Sequence, residues 1–582
     1  MSAFLPQSDP ATQLRDAAML LTRAEYQYNH TYVSPLAMVE RVPLQELPKW
    51  EWLVQVADRL LHILKNCTPL SADVGRLARI DEARRRLVAF LTSPFADFDG
   101  LVASIHDAID ASFDRVRPQG IGDYAAQFRA IGLPAVGRDY QDDKVFALMR
   151  LAGPNPVLLR RIERPDDRFP VGEELYAGVM GGDSLAAAGA EGRLYLADYA
   201  ALETVQDGTF PDARKYCYAP LALFAVDKTS KELRPVAVQC RQRPGADNPI
   251  FTPADGWGWL IAKTVVEMAD GNYHETITHL GRTHLLIEPF VIATYRQLAP
   301  NHPLGLLLRP HFEGTLAIND MAQRHLISPG GIVDELLAGT ITSSRTLTVN
   351  CLQDHSFIGG MLPRALRERG VDDPGALPDY PYRDDALLYW DAIRRWVAAY
   401  LGLYYRSDVD VHQDRELTAW CAELLAQDSG RLRGLGPNGS IGTRDELTNA
   451  VAHILFTSSV QHAAVNFPQY DLMSYVPNMP LACFAPAPQS KAGAGSQDYL
   501  TLLPPMDHAG LQLSIGFLLG SVHYTVLGHY PLGHFLDPGV ADLLSDFQKE
   551  LASIDDTIRQ RNRNRRPYVF LVPSGIPQSI NI

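Results

Sequence analysis

Three histidines spaced five residues apart constrain the fold of this chain more than any other feature of its sequence. His274, His279 and His284 lie in the segment HETITHLGRTH, which continues a helical pattern that starts near Trp257. An α-helix turns about 100° per residue, so a step of five residues rotates a side chain by roughly 140°. An unbroken α-helix would therefore point consecutive histidines in different directions.

Most of the remaining chain has the apolar periodicity of helices. Apolar residues recur at i, i+3, i+4 and i+7 in several segments between residues 12 and 117. We expect Asp255 to cap the helix that starts near Trp257. Residues 140–250 are mixed, and the alternating segments RLYLADY and LRPVAVQC predict short strands. Later helices are predicted at 384–405, 414–426, 443–465 and 538–562. The pattern indicates a mainly α fold with a few short strands.

Composition and charge exclude several kinds of function. The 582 residues carry a net charge of −14, which disfavours nucleic acid as a partner. We find no apolar run of about 18 residues that would predict a transmembrane helix. The first residues lack the layout of a secretory signal, and the six cysteines are dispersed, so we expect a cytoplasmic protein. The basic run Arg559–Arg566 predicts a solvated helix end, and residues 484–498 predict a surface loop.

Two familiar motifs are only partly present. HETIT resembles the HExxH motif of zinc peptidases, but Thr278 stands where the second histidine must be. GLGPNG, residues 434–439, fits GxGxxG, but a helix rather than a strand precedes it. These segments therefore predict neither a zinc peptidase nor a dinucleotide-binding fold.

Two clusters of histidine and amide side chains instead favour a metal site. His302 and His311 extend the first series, so that five of the 17 histidines fall within 38 residues. A downstream helix carries His462 and Asn466, whose i, i+4 spacing places both on one face. A single buried histidine is usually a hydrogen-bonded core residue, and Asn466 alone fits a helix end. Neutral imidazoles suit iron, zinc and copper, so the residues themselves leave the metal open.

The pattern His-x4-His-x4-His-x17-His-x8-His resembles the histidine signature of the lipoxygenases. THLLIEPFVIATYRQLAPNHPL, LLRPHFEGTLAIN, SSVQHAAVNFPQYD and the final RPYVFLVPSGIPQSINI are also similar to that family. The resemblance covers about residues 140–582. It implies a large helical catalytic domain over residues 121–582, with residues 1–120 as a helical region packed against it. The first 120 residues resemble compact bacterial members, including cyanobacterial ones, so we expect no N-terminal lipid-binding β-barrel.

The resemblance also implies which residues bind the metal, which is one non-heme iron in this family. The expected ligands are His279, His284, His462, Asn466 and the terminal carboxylate of Ile582. The remaining histidines of the signature, which are not ligands in the family, are His274, His302 and His311.

Four further residues match positions around the iron in that family. Gln469 matches a glutamine that links the ligands to the substrate pocket, and Glu275 stands where relatives carry Gln or Glu. Ala322 matches a position where Ala usually accompanies S products and Gly accompanies R products. Leu326, one turn later, is expected to line the pocket.

The implied activity is dioxygenation of polyunsaturated fatty acids such as linoleate, linolenate or arachidonate to hydroperoxides, with S stereochemistry. An iron-bound hydroxide, held by the metal ligands, takes hydrogen from the cis,cis-1,4-pentadiene, and O2 then adds. Two alternatives stay open: a catalytically impaired lipid-binding or sensing protein, and a hydroperoxide isomerase that uses the same iron. The expected partners are the fatty acid and O2, with transient membrane contact, and the chain is expected to be a monomer.

The resemblance turns the histidine spacing into a structural prediction. If His279 and His284 bind one ion, the segment between them is not an ordinary α-helix. The i to i+5 bonding of a π-helix brings residues five apart towards one face. We therefore predict a π-helical segment near 279–284, with His462 and Asn466 on an α-helix.

Overall fold

Helices make up most of the computed structural model, which describes residues 3–68, 73–93, 97–113, 115–437 and 439–582. The prediction of a mainly α fold with few strands is confirmed. Among the described residues, no helix combines the length and hydrophobicity that crossing a bilayer requires.

The N-terminal part forms a layer of helices against one side of the later helices. The inner face of α2 buries Leu53, Val56, Leu60 and Leu64, which recur at helical spacing. The helices α3 and α4 pack against α2, and α4 also contacts α22 (Met506–Leu519). The helices of this part are α1 (Thr12–Glu25), α2 (Trp50–Cys67), α3 (Val74–Thr92), α4 (Phe98–Asp110) and α5 (Gly122–Ala125). Its division from the catalytic domain at residue 120 stays a prediction.

Both predicted strand segments lie in one antiparallel five-stranded sheet, whose strands are neighbours in the order in which they follow along the chain. Its strands are β3 (Arg160–Ile162), β4 (Leu194–Asp198), β5 (Leu221–Val226), β6 (Leu233–Gln239) and β7 (Ile250–Phe251). A separate two-stranded sheet pairs β1 (Tyr28–Asn29) with β2 (Met38–Val39). Three helices accompany the larger sheet: α6 (Asp143–Ala152), α7 (Glu173–Val179) and α8 (Leu185–Ala190).

The central helices follow the sheet and enclose the site. They are α9 (Trp257–Tyr273), α10 (Leu286–Gln297), α11 (Pro303–Leu308), α12 (Thr315–Met321), α13 (Ile332–Leu336), α14 (Ile341–Gln353), α15 (Leu362–Arg369), α16 (Pro381–Gly402), α17 (Asp408–Gln413) and α18 (Arg415–Leu425). The predicted cap of α9 is wrong. The Asp255 carboxylate accepts from the Thr252 backbone and hydroxyl in a preceding short turn, whereas Gly256 is the N-cap of α9. A glycine fits there because its φ is +55°.

The last helices are α19 (Arg444–Phe456), α20 (His462–Asn466), α21 (Ser496–Leu502), α22 and α23 (Pro538–Arg561). The predicted surface loop at 484–498 is correct except that α21 begins at Ser496. The basic run is only partly a solvated helix end. Arg561 and Arg565 both pair with Asp385, whose buried carboxylate needs such partners.

Four π-helical segments interrupt the central helices. They are π1 (His274–Leu285), π2 (Ala322–Leu326), π3 (Thr457–Gln461) and π4 (Gln469–Met473). The predicted π-helix at 279–284 is confirmed within π1, and His462 and Asn466 lie on the α-helix α20, as expected. The other three π segments had no signal in the sequence.

Candidate metal centre

Three histidine side chains from two distant parts of the chain converge in the interior. The Nε2 atom of His284 lies 3.2 Å from Nε2 of His279 and 3.2 Å from Nε2 of His462. All three residues are buried, with exposed fractions of 7% or less. Their ring nitrogens form a group whose spacing suits one metal ion.

The local helix geometry explains how this convergence arises. In π1 the wider turn places His279 and His284 on one face despite their spacing of five residues. The short helix α20 brings His462 against that face, and the π3 segment leads directly into α20.

The environment keeps the three imidazoles neutral, which is the form that binds metal. Burial lowers the pKa of all three groups and lowers the pKa of His284 to about 3. The proton of His284 is on Nδ1, because Nδ1 faces the Oδ1 acceptor of Asn319 at 2.9 Å. The Nε2 atom of His284 therefore presents a lone pair to the other two rings.

This donor set fits a metal cation. The single lone pair on His284 Nε2 cannot serve as a good acceptor for two neighbouring imidazoles at once, whereas a cation between the rings would accept all three lone pairs. Imidazole nitrogens are common ligands of iron, zinc and copper.

Asn466 and Gln469 lie next to this group. Asn466 is fully buried on the same helix as His462, and its Nδ2 donates to the main-chain oxygen of Leu519 at 2.9 Å. Its Oδ1 accepts from Gln469 Nε2 at 2.8 Å, which leaves a second lone pair on that oxygen. The predicted ligand and the predicted linking glutamine are thus hydrogen-bonded to each other.

The C-terminal segment runs into the interior and ends at the histidines. The Trp52 indole donates to the main-chain oxygen of Asn581 at 2.6 Å, and the Thr315 hydroxyl donates to that of Ile580 at 3.0 Å. Ile582 is 7% exposed and lines the same cavity as His279 and His284. The last residue is therefore held beside the three imidazoles.

A predominantly apolar cavity opens against the histidines. Its wall contains aliphatic and aromatic side chains from α2, α4, α12, α22 and π2. Ala322 and Leu326 both lie in this wall. Glu275 also reaches it, with its carboxylate 3.7 Å from Nδ1 of His279.

The other histidines of the signature have partners elsewhere. His274 Nε2 lies 2.8 Å from the main-chain oxygen of Val465, and His311 Nε2 lies 3.0 Å from the Tyr530 hydroxyl. His302 Nε2 contacts Asp414 at 2.9 Å, and its Nδ1 caps α11. Their hydrogen bonds are those of structural core histidines.

Two buried residues behind His284 were not predicted from the sequence. Asn319 accepts from His284, and its Nδ2 donates to Glu288 Oε2 at 2.7 Å. Burial raises the pKa of Glu288 to about 7. The only available signal was that Glu288 falls four residues after His284, on the same helical face if the helix is regular.

Comparisons with known proteins agree with this geometry. The family model described as Lipoxygenase matches residues 137–569. The linoleate 9/13-lipoxygenase of Pseudomonas aeruginosa is 39% identical over 99% of this chain and 92% of its own length. The chain belongs to the lipoxygenase family. The human hydroperoxide isomerase ALOXE3 is 36% identical over 76% of this lipoxygenase and 62% of its own length. The crystal structure of coral 8R-lipoxygenase covers 100% of this chain and 83% of its own, with a TM-score of 0.86 and 29% identity.

Membership confirms the predicted enzyme class. This lipoxygenase is an oxidoreductase of the dioxygenase type that acts on fatty acids. The family implies iron as the metal, and the cluster of His279, His284 and His462 is a buried group that fits it.

Proposed function

We propose that this lipoxygenase binds one non-heme iron and converts polyunsaturated fatty acids with a cis,cis-1,4-pentadiene into hydroperoxides. The proposed ligands are His279, His284, His462, Asn466 and the terminal carboxylate of Ile582. The observation that carries the proposal is the convergence of three buried, neutral imidazoles at the wall of an apolar cavity. The named substrate of the Pseudomonas aeruginosa relative, linoleate, has such a pentadiene.

The proposed ligand set matches the chemistry that the reaction needs. When bound, iron supplies the one-electron oxidation of the C–H bond between the two double bonds. Four neutral ligands and one carboxylate provide the nitrogen and oxygen donors that suit iron. The side chains around them hold the imidazoles in their neutral form, as the pKa shifts of His279, His284 and His462 indicate.

The cavity would bind the acyl chain and select the carbon that reacts. Each methylene that leaves water contributes roughly 0.8 kcal/mol, so apolar walls can hold a long chain without a specific polar contact. Fixing the chain also places one methylene against the histidines, which is the positioning part of catalysis. Trp52, Val56 and Leu60 from α2 and Leu101 and Ile105 from α4 form one wall.

Ala322 supports an S product. Its methyl group lies in the cavity wall at the start of π2, where it would occupy space that a glycine leaves open to oxygen. Leu326 belongs to the same segment and lines the same cavity. Monomeric state, transient membrane contact and cytoplasmic location stay predictions.

A second candidate is hydroperoxide isomerase activity at the same centre. It is favoured by one observation, the 36% identity to the human hydroperoxide isomerase ALOXE3. A third possibility, a protein that binds lipid without turnover, has less support, because all five proposed ligand positions carry residues able to bind iron.

The deciding experiment follows oxygen uptake and conjugated-diene absorbance after linoleate or arachidonate is added to purified, iron-loaded protein. We expect stoichiometric oxygen uptake and hydroperoxide formation. His284→Gln should abolish both, whereas His302→Asn, at a buried histidine that caps α11, should leave iron content and uptake near the unmodified level.

The same assay separates the alternatives. Consumption of an added fatty acid hydroperoxide without oxygen uptake from linoleate would favour the isomerase. Tight fatty acid binding by iron-loaded protein, with neither reaction, would favour a binding protein and refute the dioxygenase proposal.

A further inference from the structure

A chain of buried hydrogen bonds leads away from His284 on the side opposite the metal centre. His284 contacts Asn319, Asn319 contacts Glu288, and Glu288 contacts the backbone N–H of Val39 in β2. These atoms come from four separate segments: π1, α12, α10 and the small N-terminal sheet. The exposed fractions of His284, Asn319 and Glu288 are 5%, 3% and 1%, so bulk water does not compete for these bonds.

The direction of the bonds in this chain is determined by the backbone groups at its two ends, the N–H of Val39 and the carbonyl of His284. The Val39 N–H can only donate, so Glu288 Oε1 accepts it at 2.7 Å. The other carboxylate oxygen, Oε2, accepts from Asn319 Nδ2 at 2.7 Å. The same Nδ2 also donates to the main-chain oxygen of His284 at 3.2 Å. Both contacts require the amide nitrogen of Asn319, so its Oδ1 must be the atom that faces the ring.

The orientation of the Asn319 amide then fixes the proton on the imidazole. An amide oxygen accepts and cannot donate, so the atom facing it at 2.9 Å must be a protonated Nδ1 of His284. Nε2 is consequently unprotonated, and it is the atom that lies 3.2 Å from His279 and His462. The ring is also held at a fixed angle, because Asn319 contacts both Nδ1 of the His284 ring and the backbone oxygen of His284.

Building on the proposed iron site, we propose that Asn319 and Glu288 are positioning residues that fix the tautomer and the orientation of His284. Glu288 orients the Asn319 amide, and the amide in turn directs the Nε2 lone pair of His284 towards the metal. Partners of this kind, behind a metal-binding histidine, typically change metal affinity 10- to 100-fold when they are removed. Neither residue touches the metal or the substrate, so their effect is transmitted through the ring.

Exchanges between amide and carboxyl side chains of the same shape swap donors for acceptors without changing the packing. They therefore test the direction of these hydrogen bonds. In Glu288→Gln, the side-chain oxygen can still accept from Val39, but its amide nitrogen then faces the Asn319 amide nitrogen, donor against donor. In Asn319→Asp, the two facing carboxyls can share one proton between their oxygens, so this exchange serves only as the partner of Glu288→Gln. In the double variant Glu288→Gln/Asn319→Asp, the glutamine oxygen accepts from Val39, its nitrogen donates to the aspartate, and the aspartate accepts from His284 Nδ1.

The measurements are the iron-to-protein ratio, the rate of iron loss to a chelator, and the electron paramagnetic resonance spectrum of the ferric protein. We expect Glu288→Gln to lose iron roughly 10- to 100-fold faster and to give a broadened spectrum. The double variant should recover both the slow iron loss and the unmodified spectrum. A matched control is Asn66→Asp, which removes one donor bond from an equally buried asparagine away from the site, and its iron retention should be unchanged.

The outcomes distinguish this inference from the function on which it builds. If the unmodified protein takes up no iron, the proposed iron site itself fails. If it takes up iron and Glu288→Gln retains iron as it does, or the double variant stays as defective as Glu288→Gln, the positioning role is refuted. Iron loss in Asn66→Asp equal to that of Glu288→Gln would also refute it, because general destabilisation would then be the cause.

Discussion

The buried carboxylate of Glu288 predicts a measurable dependence of stability on pH. It is 1% exposed, and burial raises its pKa from 4.5 to about 7. A carboxyl whose pKa is higher in the folded state stabilises the fold fully below its unfolded pKa and loses that contribution as pH rises through the folded value. The difference between 4.5 and about 7 corresponds to about 3 kcal/mol. Roughly 2 kcal/mol of this stabilisation is lost as the pH rises from 5 to 8.

The perturbation is to remove the titrating group. Glu288→Gln keeps the shape of the side chain, and Glu288→Met removes both its charge and its hydrogen bonds to Val39 and Asn319. The two variants should differ from each other in absolute stability. Both should lack the pH-dependent contribution of Glu288, so the free energy of unfolding should fall less between pH 5 and pH 8 than in the unmodified protein, by roughly 2 kcal/mol.

The assay is equilibrium urea unfolding at several pH values, followed by tryptophan fluorescence. Chelator-treated protein is preferred, because a cation bound at His284 would lower the pKa of Glu288 and reduce the effect. Parallel pH profiles for the unmodified protein and both variants would refute the reasoning, since they would mean that the pKa of Glu288 is the same in the folded and unfolded states.

Three further predictions use the same structure. Arg150→Met should destabilise the protein by roughly 3–5 kcal/mol, because it leaves the buried carboxylates of Glu267 and Asp270 without their cation; an unfolding free energy within about 1 kcal/mol of the unmodified value would contradict this. Ala322→Gly should shift the product from S towards R on chiral chromatography, and an R product from the unmodified enzyme would overturn the stereochemical proposal. Adding one glycine after Ile582 should displace the proposed carboxylate ligand, so that iron content and oxygen uptake both fall; a variant that keeps its full iron content would show that this carboxylate is not a ligand.

Helices could be predicted from the sequence because each has a long apolar stripe that must be buried. The helices predicted at 414–426 and 538–562 agree with α18 and α23 within one residue at each end. The end of a helix depends on contacts that periodicity does not encode. Asp255 has the right position to cap α9, yet its carboxylate is already used by Thr252.

The π1 segment was predictable because two facts conflicted. The resemblance required His279 and His284 to share an ion, and α-helical rotation separates residues spaced by five. Segments π2, π3 and π4 carry no such conflict in their sequences. Segment π2 lies in the cavity wall and π3 leads into α20, and no local pattern records such tertiary surroundings.

The sequence by itself determined the helical class and the family. Helical periodicity is local, and the histidine spacings follow from counting residues along the chain. Only the tertiary structure decided which groups meet. It brings His462 to His284 across 178 residues and sets Asn319 and Glu288 behind the same ring. It also draws Ile582 into the interior beside them. The physical reason is that a buried polar group must find its partner in space, and that partner need not be near in the sequence.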